Sequence, residues 1–193
     1  MPPPSWLEAV ESRAPDVVAA WRVCDVSLLK LRRQLRDRAG AGTAAAILAQ
    51  QEAVADALGE ALDATSDEQL LAPGGEEDWN VAQAFAHTTA SRRWLVHAAA
   101  LSARGQWPAE EPPVVRPGIP GPADASRELL GTYLDKSRRA MALSAAAIVG
   151  HETDRCPLDH PLVGHLRCGE WLLFAGVHDL MHLEQLHRLL GDG

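Results

Sequence analysis

His178 and His182 stand four residues apart in the run WLLFAGVHDLMHLEQLHRLL, a spacing that stacks two imidazoles on one helix face, one turn apart. The same face carries Trp171, Phe174, Met181 and Gln185, an apolar set that points inward. Imidazole nitrogens are costly to bury without partners, and a divalent metal ion is a partner that engages both at once. The chain holds eight histidines. Of the others, His87 falls on a predicted helix face with Ala84, Ser91, Trp94, Ala98 and Leu101, again inward, and small Ala84 and Ser91 leave room around it. Three inward imidazoles on two helices can make one facial set of nitrogen ligands with positions open to water or substrate. A hydrogen-bonded core histidine is the competing role for each, and helical periodicity leaves both open.

Three neutral imidazoles leave a divalent cation its full charge. Such a centre lowers the pKa of bound water or of a coordinated thiol and polarises a substrate oxygen; zinc, nickel and iron(II) all suit these ligands. Asp179, beside His178, is a candidate to orient a ring from behind, or alternatively to hydrogen-bond between packed helices. Gln185 is a candidate for binding water or substrate, or a satisfied core amide. Ser91 and Trp94 are candidates for the pocket mouth, with a plain core role as the alternative for Trp94. HDLMH resembles the zincin motif HExxH with aspartate for the glutamate base, but a third ligand is missing downstream, where the metzincin-type position is Arg188. Cys156, His160, His165 and Cys168 have a spacing that permits a tetrahedral zinc site, though they lie among Pro157, Pro161 and Gly164. His97, His151 and His187 fall near helix ends or on outward arcs, as solvent-facing or capping residues.

The elements that must position these groups read almost entirely as helix, since alanine, leucine, arginine and glutamate dominate and β-branched runs are missing. Five long helices are predicted. The first covers residues 16–38, with Val17, Trp21, Cys24, Leu28, Leu31 and Leu35 in an a/d stripe suited to another helix or to a partner subunit. The second covers residues 43–63, followed by the loop SDEQLLAPGGEED with helical character at its start. The third covers residues 80–104, with Asn80 and Gln83 as a capping box and Trp79 placed to staple its start. WPAEEPPVVRPGIPGP, residues 107–122, cannot be helical and reads as a crossover or functional loop. The fourth helix covers residues 124–149. A loop, HETDRCPLDHPLVGHLR, leads to the fifth over residues 168–190, ended by Gly191.

A chain of 193 residues suits one domain with a full core. A net charge of −8 argues against nucleic acid as a partner. Lys30, Arg32, Arg33, Arg36 and Arg38 cluster locally, with Asp37 among them, as the solvated face of a helix. Three cysteines form no disulfide-scaffold pattern. The start MPPPSWLEAVES lacks the design of a signal peptide, and no apolar run reaches membrane-spanning length. A soluble, cytoplasmic, reduced protein without membrane contact is expected.

DWNVAQAFAHTTASRRW resembles one hallmark of the DinB/YfiT-like family of metal-dependent enzymes: a tryptophan, a capping polar residue and a valine ahead of a histidine. HPLVGHLRCGEWLLFAGVHDLMHLEQL resembles the other, a His-Pro and Gly loop before a helix with two histidines four apart and a glutamine three beyond. The resemblance covers residues 43–191. It implies an all-α fold, a four-helix bundle of up-down-down-up topology with residues 107–122 as its crossover, behind an N-terminal helical extension over residues 1–42. It implies His87, His178 and His182 as ligands of a divalent metal. Two enzyme classes follow for small-molecule substrates: S-transferases or isomerases using a low-molecular-weight thiol, and metal-dependent hydrolases. A non-catalytic metal- or ligand-binding bundle is the third reading; the S-transferase is taken first. Homodimerisation is a family habit. The chain departs from the pattern in the helix over residues 16–38, assigned to extra packing or a dimer contact, and in Arg167-Cys168-Gly169, where the family more often has a Ser/Thr cap.

Overall fold

The computed structural model describes residues 5–74, 78–110, 114–116 and 118–191. Parts of the start MPPPSWLEAVES, of SDEQLLAPGGEED and of the proline-rich stretch therefore lie outside the described residues. Four long helices form the body: α4 (Ala44–Ala64), α6 (Val81–Ala103), α7 (Arg127–Ile148) and α8 (Cys168–Leu190). They pack as a ring, with α4 and α6 each touching both α7 and α8.

The direction of each helix follows from hydrogen bonds at its ends. The Asn80 amide that caps α6 also donates to the Ala123 carbonyl just ahead of α7, at 2.9 Å, so α6 and α7 start at the same end. Arg127, at the start of α7, donates to the Leu62 and Thr65 carbonyls where α4 finishes. The end of α7 meets the start of α8 through Gly169 N–H to the Glu152 carbonyl, 2.9 Å. The order is therefore up, down, down, up. The crossover is the stretch after α6, which returns from the end of that helix to its beginning.

Small residues let the helices close on one another. A Cβ at Gly176 of α8 would sit 2.8 Å from the Gln51 amide of α4 and 2.8 Å from Val17, so only glycine admits both neighbours there. The buried core runs through Leu58, Phe85, Leu130, Met141, Ile148, Trp171 and Leu172.

The N-terminal segment differs from the single helix expected over residues 16–38. It forms α1 (Ser5–Arg13), α2 (Pro15–Trp21) and α3 (Leu28–Arg38). Pro15 is tolerated in the first turn of α2, where its missing N–H is not needed. A turn over residues 22–27 then breaks the a/d stripe, and Ser27 caps α3 by accepting from Lys30 N–H at 3.4 Å. Val17, Leu31 and Leu35 are buried while Leu28 is exposed, so the buried half of the stripe packs within the chain, α2 on α8 and α4, and α3 on α8. The basic cluster is a solvated face that reaches acids locally: Arg36 pairs with Glu170 at 2.8 Å and Arg38 with Asp16 at 3.1 Å.

Two further elements add to the expected set. α5 (Asp67–Leu71) carries a capping box between Ser66 and Gln69. The segment read as a plain loop before the last helix holds a hairpin, β1 (Arg155–His160) against β2 (Gly164–Arg167), antiparallel. Its register is irregular between Arg155 and Asp159, where Pro157 has no N–H to give the ladder. Cys156, Leu158 and Leu166 face the core. At the start of α8 the Glu170 carboxylate accepts from Arg167 N–H at 3.0 Å, satisfying the backbone donor of the residue ahead of the helix, while Arg167 gives no side-chain cap to the first-turn N–H groups as a serine or threonine would.

Candidate metal centre

His87 lies near the start of α6, and His178 and His182 lie on successive turns of α8. Because α6 and α8 are neighbours in the ring, the three rings meet. Their centroids are 5.4 Å (His87–His178), 4.7 Å (His87–His182) and 4.5 Å (His178–His182) apart. One ligand nitrogen from each lies within 4.8 Å of the others, and no other group of three or more His, Cys, Asp or Glu among the described residues is so placed.

Two of the rings have their tautomers set by the chain. His87 Nδ1–H donates to the Ile119 carbonyl at 2.6 Å, leaving Nε2 with its lone pair; Ser91 Oγ lies 3.3 Å from that Nε2. His182 Nδ1–H donates to Gln185 Oε1 at 2.9 Å, again leaving Nε2 as the lone-pair nitrogen. The buried Nδ1 of His178 has no hydrogen-bond partner among the described residues. Burial lowers the pKa of all three. For His87 the Ile119 bond opposes it. For His178 the neighbouring imidazoles His182, His87 and His160 add to burial and hold it well below the ordinary value. His182 falls to about 4, burial leading and the Gln185 bond opposing. Three neutral imidazoles, two with oriented lone pairs and one with an unmatched buried nitrogen, are a donor set that could hold a divalent metal ion.

The Ile119 carbonyl is brought to His87 by close docking of the crossover. Gly121 N–H donates to the Gln83 carbonyl at 3.2 Å, and a Cβ on Gly121 would fall 2.4 Å from Ala86 Cβ. A stretch whose prolines exclude helix thus ends as a strap across the first turns of α6.

A cleft of about 460 Å³ opens onto the three rings. Its walls are mainly apolar, including Leu31, Leu95, Phe174 and Met181, with Arg116 and Asp25 as its charged residues. Trp79, expected as a helix staple, is a wall of this cleft: its ring lies 4.8 Å from His87 and stacks on His182 at 6.2 Å. Trp94 is 40% exposed and lines the cleft with Ser91, which settles its role as the mouth rather than the core. Met181, read as inward, is 41% exposed there as well.

The supporting candidates fall out differently. Gln185 Oε1 accepts from the His182 ring. Asp179 orients no imidazole: it is fully buried against Arg92 of α6, Oδ2 to Nε 2.9 Å, the interhelical alternative. Burial pushes its pKa up to about 7, with the guanidinium opposing. Nothing in the sequence sets Arg92 apart from the adjoining Arg93, which is exposed, since an arginine in a helix reads as surface.

The alternative zinc set does not assemble. Cys156 and Cys168 are buried, while His165 is exposed and paired with Asp159. His160 packs edge-on to Phe174 at 4.8 Å. His97 is exposed, His151 pairs with Asp154 at 2.7 Å at the surface, and His187 departs from expectation by stacking on Trp6 at 5.0 Å.

An apolar cleft ending on three neutral imidazoles from neighbouring helices defines a class: helical bundles with a histidine group between their helices that could hold a metal ion. Residues 50–186 match the DinB superfamily, and the chain belongs to it. No match was found among the curated proteins, nor among the solved structures.

Proposed function

We propose that the protein is a metal-dependent enzyme using His87, His178 and His182 as ligands, and that it transfers a low-molecular-weight thiol to an electrophilic small molecule. The observation carrying this reading is the combination, in one cleft, of three neutral imidazoles with mainly apolar walls and, among the described cleft residues, a single carboxylate, Asp25. A divalent cation held there lowers the pKa of a coordinated thiol, so that thiolate is available at neutral pH. The bonds to Ile119 and Gln185 leave Nε2 of His87 and of His182 as the lone-pair nitrogens, free to ligate. Trp79, Leu95 and Phe174 exclude water and give an apolar electrophile a surface to lie on. Hydrolysis needs a base to take a proton from water. Asp179 is sealed against Arg92, and Asp25, the one carboxylate among the described cleft residues, sits beside Cys24 in the turn before α3.

Transfer to monochlorobimane tests the reading. The expected result is turnover that needs both a thiol cosubstrate and metal. Ester or amide hydrolysis that survives thiol removal but not chelation supports the hydrolase instead, and metal binding with neither activity supports a non-catalytic bundle.

A further inference from the structure

His160 ends β1 and opens the His-Pro turn of the hairpin. Its Nδ1 accepts two backbone N–H bonds from that turn, Leu162 at 3.3 Å and Val163 at 3.2 Å. A nitrogen receiving two donors must keep its lone pair, so the neutral ring carries its hydrogen on Nε2. The ring is held edge-on to Phe174 at 4.8 Å and lies 5.9 Å from Trp171. Phe174 precedes His178 by one turn of α8, so His160 covers the turn next to the three-histidine group and lines the same cleft. Among the described residues no protein group takes its Nε2–H.

Closing a turn explains Nδ1 alone. A side-chain acceptor was enough for that, and a shorter residue supplies one. Here the imidazole instead extends past the turn and ends as an N–H donor in an apolar cleft, beside a group suited to a cation. That donor keeps solvent access within the cleft, so a ligand seated there can take its hydrogen bond in place of water.

We infer that His160 is a ligand-binding residue of the cleft, whose Nε2–H donates a hydrogen bond to an anionic ligand seated beside the three-histidine group. This rests on that group holding a cation, as proposed above. The ligand chemistry is a small anion or the anionic end of a larger molecule, a thiolate included: the cation balances its charge and His160 fixes its direction. The two backbone donors on Nδ1 resist protonation of the ring, so the residue acts as a fixed donor and not as an acid.

Azide titration of cobalt(II)-loaded protein, followed by visible absorption, tests this with wild type, His160→Asn and His160→Gln. The asparagine oxygen can keep both turn bonds but its amide stops short of the Nε2 position; the glutamine amide reaches it. Azide affinity is expected to fall about tenfold or more in His160→Asn and to recover largely in His160→Gln. Equal affinity in all three overturns the inference, as does cobalt-loaded wild type that takes no azide. Failure of wild type to take cobalt overturns the metal reading beneath it, which separates the two. Nitrogen NMR of the metal-free protein is a second readout: the inference expects the Nε2–H tautomer at His160, and the Nδ1–H tautomer contradicts it.

Discussion

Arg92 of α6 and Asp179 of α8 are both fully buried and face each other with 2.9 Å between Nε and Oδ2. Asp179 adjoins His178, and Arg92 lies five residues beyond His87, so this pair fixes the two histidine-bearing helices at the depth of the candidate centre. The guanidinium also donates to the Gln51 carbonyl at 3.1 Å, and the Gln51 amide donates to the Leu172 carbonyl at 2.6 Å. One arginine thereby ties three helices of the ring.

Removing one partner strands a buried charge. Arg92→Met is expected to cost about 3–5 kcal/mol of unfolding free energy in urea titrations, whereas Arg92→Met combined with Asp179→Leu recovers much of that loss by removing both charges. A single variant within about 0.5 kcal/mol of wild type, the range of an ordinary surface change, contradicts this role.

The strap over α6 makes a separate prediction. A side chain at Gly121 collides with Ala86 Cβ, 2.4 Å away, and with the Gln83 carbonyl, 2.9 Å away, so Gly121→Val lifts the loop and takes the Ile119 carbonyl from His87. Loss of a partner that orients a ligand typically weakens metal binding by about 10–100-fold. Competition with a chromophoric chelator measures it, with circular dichroism expected to show unchanged helix content. Wild-type metal affinity in this variant would show that the carbonyl does not set the ring.

The buried imidazoles set a pH dependence for the metal-free protein. His182 ionises near the ordinary value of 6.5 when unfolded and near 4 when folded. Between those values the unfolded chain binds the extra proton, so stability is complete above about 6.5 and is lost as pH falls toward 4. The contribution of one such histidine is about 1.4 kcal/mol per pH unit inside the window; His178 is shifted the same way. Asp179, raised to about 7, works in the opposite sense, its contribution fading as pH rises from 3.8. Urea unfolding from pH 7.5 to 4.5, wild type against His182→Phe, isolates the histidine: the variant's curve is expected to be flatter across the window, and parallel curves refute the assignment.

The histidines and the helices that carry them were legible because both rest on short-range pattern. A spacing of four fixes His178 beside His182, and the Asn80/Gln83 box fixes where the helix of His87 begins, at Val81. The convergence of the two helices is a matter of packing, which pattern does not encode, and there the family resemblance supplied the partner. The unforeseen features depend on contacts distant in sequence. Arg92 is buried only because Asp179 waits on another helix. Trp79 is a cleft wall because His182 comes beneath it. In the hairpin, Cys156 and Leu158 alternate with outward residues at strand period, but Pro157 between them reads as loop. The break over residues 22–27 was hidden because the a/d stripe continues across it, although Ser27 marks a helix start.

Elemental analysis of protein purified without a histidine tag tests the metal centre most directly. The account predicts about one divalent metal per chain in wild type and loss of that metal in His87→Ala, with the same loss in His178→Ala and His182→Ala. Full retention of the metal in folded His87→Ala would contradict it.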